Sequence, residues 1–163
     1  MESFKNKNYL IFAGTSSIGS DLIGKLTSNG ANVFFTSRNK EKAEKIANKY
    51  DCDYEICEDI ANFEKVDEIF KLAIEKNGEI YGTANFSGSI VIKPAQQIKY
   101  DEFIEVINKN LTSSFAITRA AEKYMTSGGS VLFISSIAAS VGIANHEAIA
   151  SAKAGIEGLI RSA

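Results

Sequence analysis

The sequence contains no tryptophan, one proline, one histidine and two cysteines in 163 residues. Two cysteines make no disulfide framework, and with a single histidine Cys52 and Cys57 are not half of a zinc site. Their positions on a short β-rich run fit ordinary burial rather than redox chemistry. An excess of one charge is missing as well: 18 basic against 20 acidic side chains leave a formal net charge of −2. Nothing therefore draws the chain electrostatically to nucleic acid or to an anionic membrane, and neither is expected as a partner. No apolar run reaches membrane-spanning length, and the apolar stretch before Gly14 is too short for the core of a signal peptide. The cytoplasm is the expected address. Linkers, low-complexity segments and internal repeats are also absent, which predicts one domain over residues 1–163.

What is present is a regular alternation of β-rich and helical segments. Tyr9 to Ala13, Ala31 to Thr36, Tyr54 to Cys57, Ile80 to Phe86 and Ser130 to Ser135 read as five strands. Between them, Ile18 to Ser28, Asn39 to Tyr50, Phe63 to Lys76 and Tyr100 to Met125 carry helical spacing. The pairs Asn29-Gly30, Asn77-Gly78 and Gly128-Gly129 end the helices before them, because glycine adopts the left-handed conformation needed past a helix end. A last helix is expected from about Asn145 to the final residue. Strands separated by helices of this length predict an α/β fold, a doubly wound parallel sheet with helices on both faces and strand order 3-2-1-4-5.

An open sheet of this kind binds phosphates between its first strand and first helix, where this chain carries Gly14-Thr15-Ser16-Ser17-Ile18-Gly19. Gly14 is expected to let the chain turn off the strand. Gly19 is expected to let the helix start lie close to the sheet and to a pyrophosphate met by free backbone N–H groups, with Ser16 and Ser17 adding hydroxyl donors. The second strand ends Thr36-Ser37-Arg38. A carboxylate there would select NAD. Its absence, with Ser37 as a hydrogen-bonding group and Arg38 as a planar cation for a 2′-phosphate, predicts NADP as the cofactor, with NAD the lesser choice.

The stretch from Gly129 to Gly155, an apolar strand, paired serines, a glycine-bearing loop and a small-residue helix with Lys153, resembles the active-site region of the short-chain dehydrogenase/reductase family. The resemblance extends from Tyr9 to the end of the chain. It implies a Rossmann-like dinucleotide-binding fold, a small-molecule carbonyl or alcohol substrate, and a homo-oligomer formed through the long helix and the last helix. It also implies that Ile18 belongs to the cofactor loop, that Asp59 reaches the adenine amino group and Ile60 packs on the ring. Asn85 and Gly88 match the family's Asn-Asn-Ala-Gly, whereas Phe86 and Ser87 do not. The glycine loop is one residue shorter than the family's and has no middle glycine. By the same resemblance, Ser136 polarises the substrate carbonyl, Lys153 binds the nicotinamide ribose and Asn110 anchors a water relay.

One position breaks the pattern. The family's proton donor is a tyrosine four residues before the lysine and thirteen after the serine, and here that position is Ile149. An aliphatic side chain delivers no proton, so proton transfer is expected to be impaired or rewired. His146, three residues earlier, is the one alternative acid the sequence offers. The competing reading is a non-catalytic dinucleotide-binding module or scaffold, or a fragment of a longer enzyme. The expected fold lacks the C-terminal strands of full-length relatives, leaving the apolar fifth strand as an edge.

Overall fold

The computed structural model describes residues 4–163. Five strands, β1 (Asn8–Phe12), β2 (Asn32–Ser37), β3 (Asp53–Ile56), β4 (Ile80–Asn85) and β5 (Ser130–Phe133), form one parallel sheet. Their order is β3-β2-β1-β4-β5. The helices are α1 (Ser17–Ser28), α2 (Lys40–Tyr50), α3 (Phe63–Asn77), α4 (Tyr100–Ile107), α5 (Ser113–Tyr124), α6 (Ile137–Val141) and α7 (Glu147–Ser162).

Alternation along the strands assigns side chains to the two faces. Leu10, Phe12 and Phe34 face α3 and α5, and pack with Val66, Ile69, Phe70 and Ile117. Ile11, Val33 and Phe35 face the other way, against Ile23 and Leu26 of α1 and Ala43 of α2. A third cluster joins Val106 of α4 to Ala148, Ile149 and Ala152 of α7. Both faces of the central strands are thus covered, which is why these strands read as nearly continuous apolar runs.

Local chemistry sets the boundaries. Ser16, Asn39 and Asn62 cap α1, α2 and α3, each side-chain oxygen accepting a backbone N–H three residues on. Asp51, at φ +50°, ends α2 in the left-handed region. The expected long helix from Tyr100 to Met125 is in fact two helices joined by a π-helical turn at Asn108–Thr112. There the Asn110 amide donates to the Val106 carbonyl, and the Ser113 and Ser114 hydroxyls donate to the Asn110 carbonyl. Such side-chain bonds compete with the helical ladder and admit one extra residue. The extra residue rotates the buried face: Ala116, Ile117 and Ala120 are buried beyond the turn, whereas Phe115 is 48% exposed.

The short α6 is a second departure, since the segment from Ile137 reads in the sequence as a loop; Ser136 caps it, accepting from the Ala138 N–H at 3.2 Å. β5 is the outer strand, with Val131, Leu132 and Ile134 exposed. Cys57 is buried and Cys52 half-buried, both free thiols. Burial, then the Asp53 and Asp51 charges, push Cys52 up to about 12, and burial raises Cys57, so both stay protonated at neutral pH.

Asp67 ties α3 to α5, accepting from Arg119 and Lys123, each at 2.9 Å. Burial alone would raise its pKa, but the hydrogen bonds from Lys123 and Arg119 and their charges outweigh it and hold the carboxyl below its ordinary value. A lowered folded-state pKa means stability present above the unfolded value near 3.9 and lost as pH falls through the folded one. Asp67→Asn is expected to cost about 1 kcal/mol at pH 7, because both partners are partly solvated. The difference from wild type should shrink in urea titrations as the pH falls below about 3.9 and through the lowered folded-state value.

Candidate active site

The C-terminal ends of β1, β2 and β4 lie side by side, with Phe12 opposite Asn85 and Ile11 opposite Phe35. The sheet reverses its order between β1 and β4, and a crevice opens outside the strand ends at such a point. Ser16, Ser17 and Ile18 of the first loop and helix, Phe86, Ser87 and Gly88 after β4, Ile134 after β5, and Lys153 of α7 line a cavity of about 370 Å³ there. Five residues singled out in the sequence, Ser16, Ser17, Ile18, Gly88 and Lys153, are brought together in this wall.

The floor depends on two glycines. A Cβ on Gly14 would sit 2.7 Å from the Phe35 ring and 2.9 Å from Ile23 Cδ1, and one on Gly19 would meet the Ala13 carbonyl oxygen at 2.8 Å. Gly14 is therefore needed for close packing and does not itself make the turn: the left-handed residue is Ala13, at φ +55°. The Ala13 N–H is held by the Thr36 hydroxyl at 3.1 Å, which stabilises that conformation. Without the extra glycine of longer loops, Ser16 closes the turn as the α1 cap.

Ser37 is buried. Its hydroxyl lies 2.9 Å from that of Thr15, accepts the Asn39 N–H and reaches the Asn39 carbonyl, so it fastens the end of β2 to the glycine loop instead of pointing to solvent. Arg38 next to it is exposed and has no ion-pair partner among the described residues. Asp59 is exposed and accepts the Ala61 N–H at 2.9 Å, while Ile60 packs on the core.

Behind the cavity lies a polar network. The Asn85 amide donates toward Ser113 and Ser114, and its oxygen accepts the N–H and hydroxyl of Ser87 at 2.9 and 2.6 Å. Asn110 donates to the carbonyls of Ser89 and Val106, both at 2.9 Å. A Cβ on Gly88 would stand 2.8 Å from its Oδ1. Both amide protons of Asn110 are thus spent on backbone, pinning the loop after β4 to the π-helical turn. Phe86 and Ser87, which break the family motif, are part of the wall. Their signal was position within Asn-x-x-Gly, not identity.

Lys153 is buried, and its ammonium donates to the Ile134 carbonyl at 2.7 Å. Burial lowers its pKa below the ordinary lysine value. Ser136 is half-buried two residues beyond Ile134, outside the cavity wall. Its neighbour Ser135 donates to Glu157 at 2.6 Å. Ile149 is 5% exposed inside the cluster between α4 and α7. His146 begins α7 with Nδ1 bonded to the Ala144 carbonyl at 2.8 Å and does not border the cavity.

A family profile described as Enoyl-(Acyl carrier protein) reductase matches residues 12–163. The chain belongs to the short-chain dehydrogenase/reductase family. Among curated relatives, the Hydroxynaphthalene reductase-like protein Arp2 of Metarhizium majus is 29% identical over 166 residues, covering 98% of this chain and 62% of Arp2. The Short-chain dehydrogenase/reductase aba4 of Botryotinia fuckeliana is 29% identical over 171 residues, covering 99% of this chain and 66% of aba4. The chain therefore spans less than two thirds of the length of these short-chain dehydrogenase/reductase relatives. Two solved structures share the fold. A short chain dehydrogenase from Bacillus anthracis superposes with TM-score 0.92 at 24% identity, over 98% of this chain and 69% of that one. A short-chain type dehydrogenase/reductase from Mycobacterium ulcerans gives the same TM-score and identity, over 98% and 62%. Short-chain dehydrogenases/reductases bind NAD(P), and the donors at this crevice, the start of α1 with the Ser16 and Ser17 hydroxyls, fit the phosphates of such a dinucleotide.

Proposed function

We propose that the chain is the cofactor-binding part of an NADP-dependent oxidoreductase that interconverts a carbonyl and a secondary alcohol, with proton transfer weakened by Ile149. The observation that carries this reading is the single cavity in which the capped N-terminus of α1 faces Lys153. The N–H groups at the start of α1, with the Ser16 and Ser17 hydroxyls, hold the pyrophosphate. Arg38 takes the 2′-phosphate, Asp59 and Ile60 the adenine. Asn85, through Ser87, and Asn110, through Ser89, hold the loop that carries Gly88 against the cofactor. Lys153 binds the nicotinamide ribose, and Ser136 donates to the substrate oxygen. When bound, the cofactor supplies or accepts the hydride.

Fluorescence titration with NADPH and separately NADH tests this. NADPH is expected to bind more tightly, and Arg38→Ala to weaken NADPH about 10- to 100-fold, the loss of a charge-assisted hydrogen bond, while leaving NADH unchanged. Equal loss for both cofactors would remove Arg38 from the 2′-phosphate site.

The second reading, a dinucleotide-binding module without turnover, is favoured by the burial of Ile149 among apolar side chains. Saturable NADPH binding with no oxidation in the presence of any carbonyl would select it.

We further propose a homo-oligomer through α5 and α7. Leu111, Phe115, Gly155, Gly158 and Leu159 line a groove of about 510 Å³ between these helices. A side chain at Gly158 would meet nothing within 4 Å in the chain itself. Gly158→Arg should leave the fold intact and shift the protein to monomer in sedimentation. An unchanged mass would place the contact elsewhere.

A further inference from the structure

The loop between β1 and α1 turns at a strained residue. Ala13, directly after β1, is the one non-glycine residue of the segment 13–19 in the left-handed region, at φ +55°. An alanine there is disfavoured about 5- to 30-fold against right-handed backbone, because its Cβ crowds the following carbonyl. The loop's own sequence does not relieve this. Its glycine stands one place later, at Gly14, and no middle glycine follows before Gly19.

What holds Ala13 is the end of β2. The Ala13 N–H donates to the Thr36 hydroxyl at 3.1 Å, and the Gly14 N–H donates to the Thr36 carbonyl at 2.9 Å. The Thr15 and Ser37 hydroxyls lie 2.9 Å apart beside them. Thr36 is 2% exposed, and among the described residues its hydroxyl serves the Ala13 N–H alone. The turn is then passed on to the cavity. The Ala13 carbonyl accepts the Ser16 N–H at 3.0 Å, and the Ser16 hydroxyl accepts the Gly19 N–H at 3.1 Å as the α1 cap. Ser16, Ser17 and Ile18 are in the cavity wall, and Thr36 is not. Two hydrogen bonds through Ala13 therefore connect a buried residue of β2 to the donors at the start of α1.

We propose that Thr36 is a positioning residue for dinucleotide binding, whose hydroxyl holds Ala13 in its left-handed conformation and thereby sets the start of α1 that receives the phosphates. The proposal rests on the dinucleotide reading and adds to it a residue outside the cavity. Apparent affinity scales with the fraction of molecules whose loop already has the binding conformation, so releasing Ala13 weakens binding by that fraction. Both cofactors carry the pyrophosphate, so the effect falls equally on NADPH and NADH, whereas that of Arg38 falls on the 2′-phosphate.

Thr36→Val keeps the branched shape of the side chain and removes the acceptor. In the folded fraction it is expected to weaken NADPH and NADH alike by about 5- to 30-fold, with Thr36→Ser close to wild type. The deciding variant is a suppressor. Ala13→Gly alone should change affinity little, and in the Thr36→Val background it should restore most of the loss, since glycine takes the left-handed conformation without help. A threonine that merely stabilises the fold would shift urea melts without this rescue of affinity. If Thr36→Val does not fold, Ala13→Val makes the same test with the hydroxyl in place, because a β-branched side chain is strongly disfavoured at that φ. It too should weaken both cofactors equally. No loss, a loss confined to NADPH, or a loss that Ala13→Gly leaves unrepaired overturns the proposal. Hydrogen exchange at the Ser16 and Gly19 amides of the cofactor-free chain reads the turn directly. It should quicken in Thr36→Val and return to the wild-type rate with Ala13→Gly, and unchanged exchange overturns the role of Thr36. A wild-type chain that binds neither cofactor but shows this exchange pattern would sink the dinucleotide reading and leave the dependence of the turn on Thr36 standing.

Discussion

Ile149→Tyr is expected to raise the rate of NADPH-dependent carbonyl reduction about 100- to 10,000-fold, the usual contribution of a positioned general acid. Position 149 lies one helical turn before Lys153 on the same face of α7, and thirteen residues after Ser136. A phenol there would sit beside the two groups proposed to hold the ribose and the substrate oxygen. Lys153 would also lower its pKa by proximity of charge. The gain has a cost in packing. Ile149 is buried against Val106, Ala148 and Ala152, with Val91, Ile98 and Leu111 around them. A larger ring in that cluster should destabilise the chain by about 1–3 kcal/mol. Steady-state oxidation of NADPH with an aromatic diketone, run beside a urea melt, measures both effects. A folded variant that binds NADPH as well as wild type yet reduces no faster would show that the missing acid is not what limits turnover.

Phe35→Ala should lower the unfolding free energy by about 3–5 kcal/mol, the cost of a large cavity in a packed core. Phe35 is fully buried on β2, its ring 5.7 Å from that of Tyr54. It also lies under the glycine loop, within van der Waals range of Gly14. Its loss removes support from the segment that cradles phosphates, so NADPH affinity should fall together with stability. Phe70→Ala makes the comparison: Phe70 is equally buried, but in the cluster on the opposite face of the sheet. It should cost similar stability and leave the affinity of the folded fraction unchanged. Equal affinity losses in both variants would mean that binding merely tracks global stability.

Much of the fold was legible because it depends on short-range periodicity. Strand order, covered faces and most helix limits follow from apolar spacing and from Asn or Gly at helix ends. The readings that missed depend on contacts between segments remote in sequence. The long helix is interrupted at Asn110, whose amide joins local bonds at the turn with a reach to Ser89, twenty-one residues earlier. The turn off β1 falls at Ala13 because Thr36 of the next strand holds its N–H. Ser37 reads as a ligand group from its place after β2, but Thr15 and the turn at Asn39 occupy its hydroxyl.

The candidate site divides in the same way. The order of its motifs along the chain was enough to single out as candidates the loop from Gly14 to Gly19, Ser136, Lys153 and the aliphatic residue at position 149, since each motif is local and its spacing is set by one strand or one helix. Membership of the cavity wall was not. Phe86, Ser87 and Ile134 join it because the parallel strands β1, β4 and β5 end at one edge, and no periodicity within a single segment encodes that convergence. The solitary state of Lys153 likewise came only from tertiary structure. Sequence places Glu157 one turn away, ready to pair with it, and the fold instead assigns Glu157 to Ser135 and turns the lysine to a backbone carbonyl. Sequence determined which chemical groups are present and in what order. Packing decided which are buried, which are paired and which are left to react, because burial and pairing are properties of neighbours that chain order does not specify.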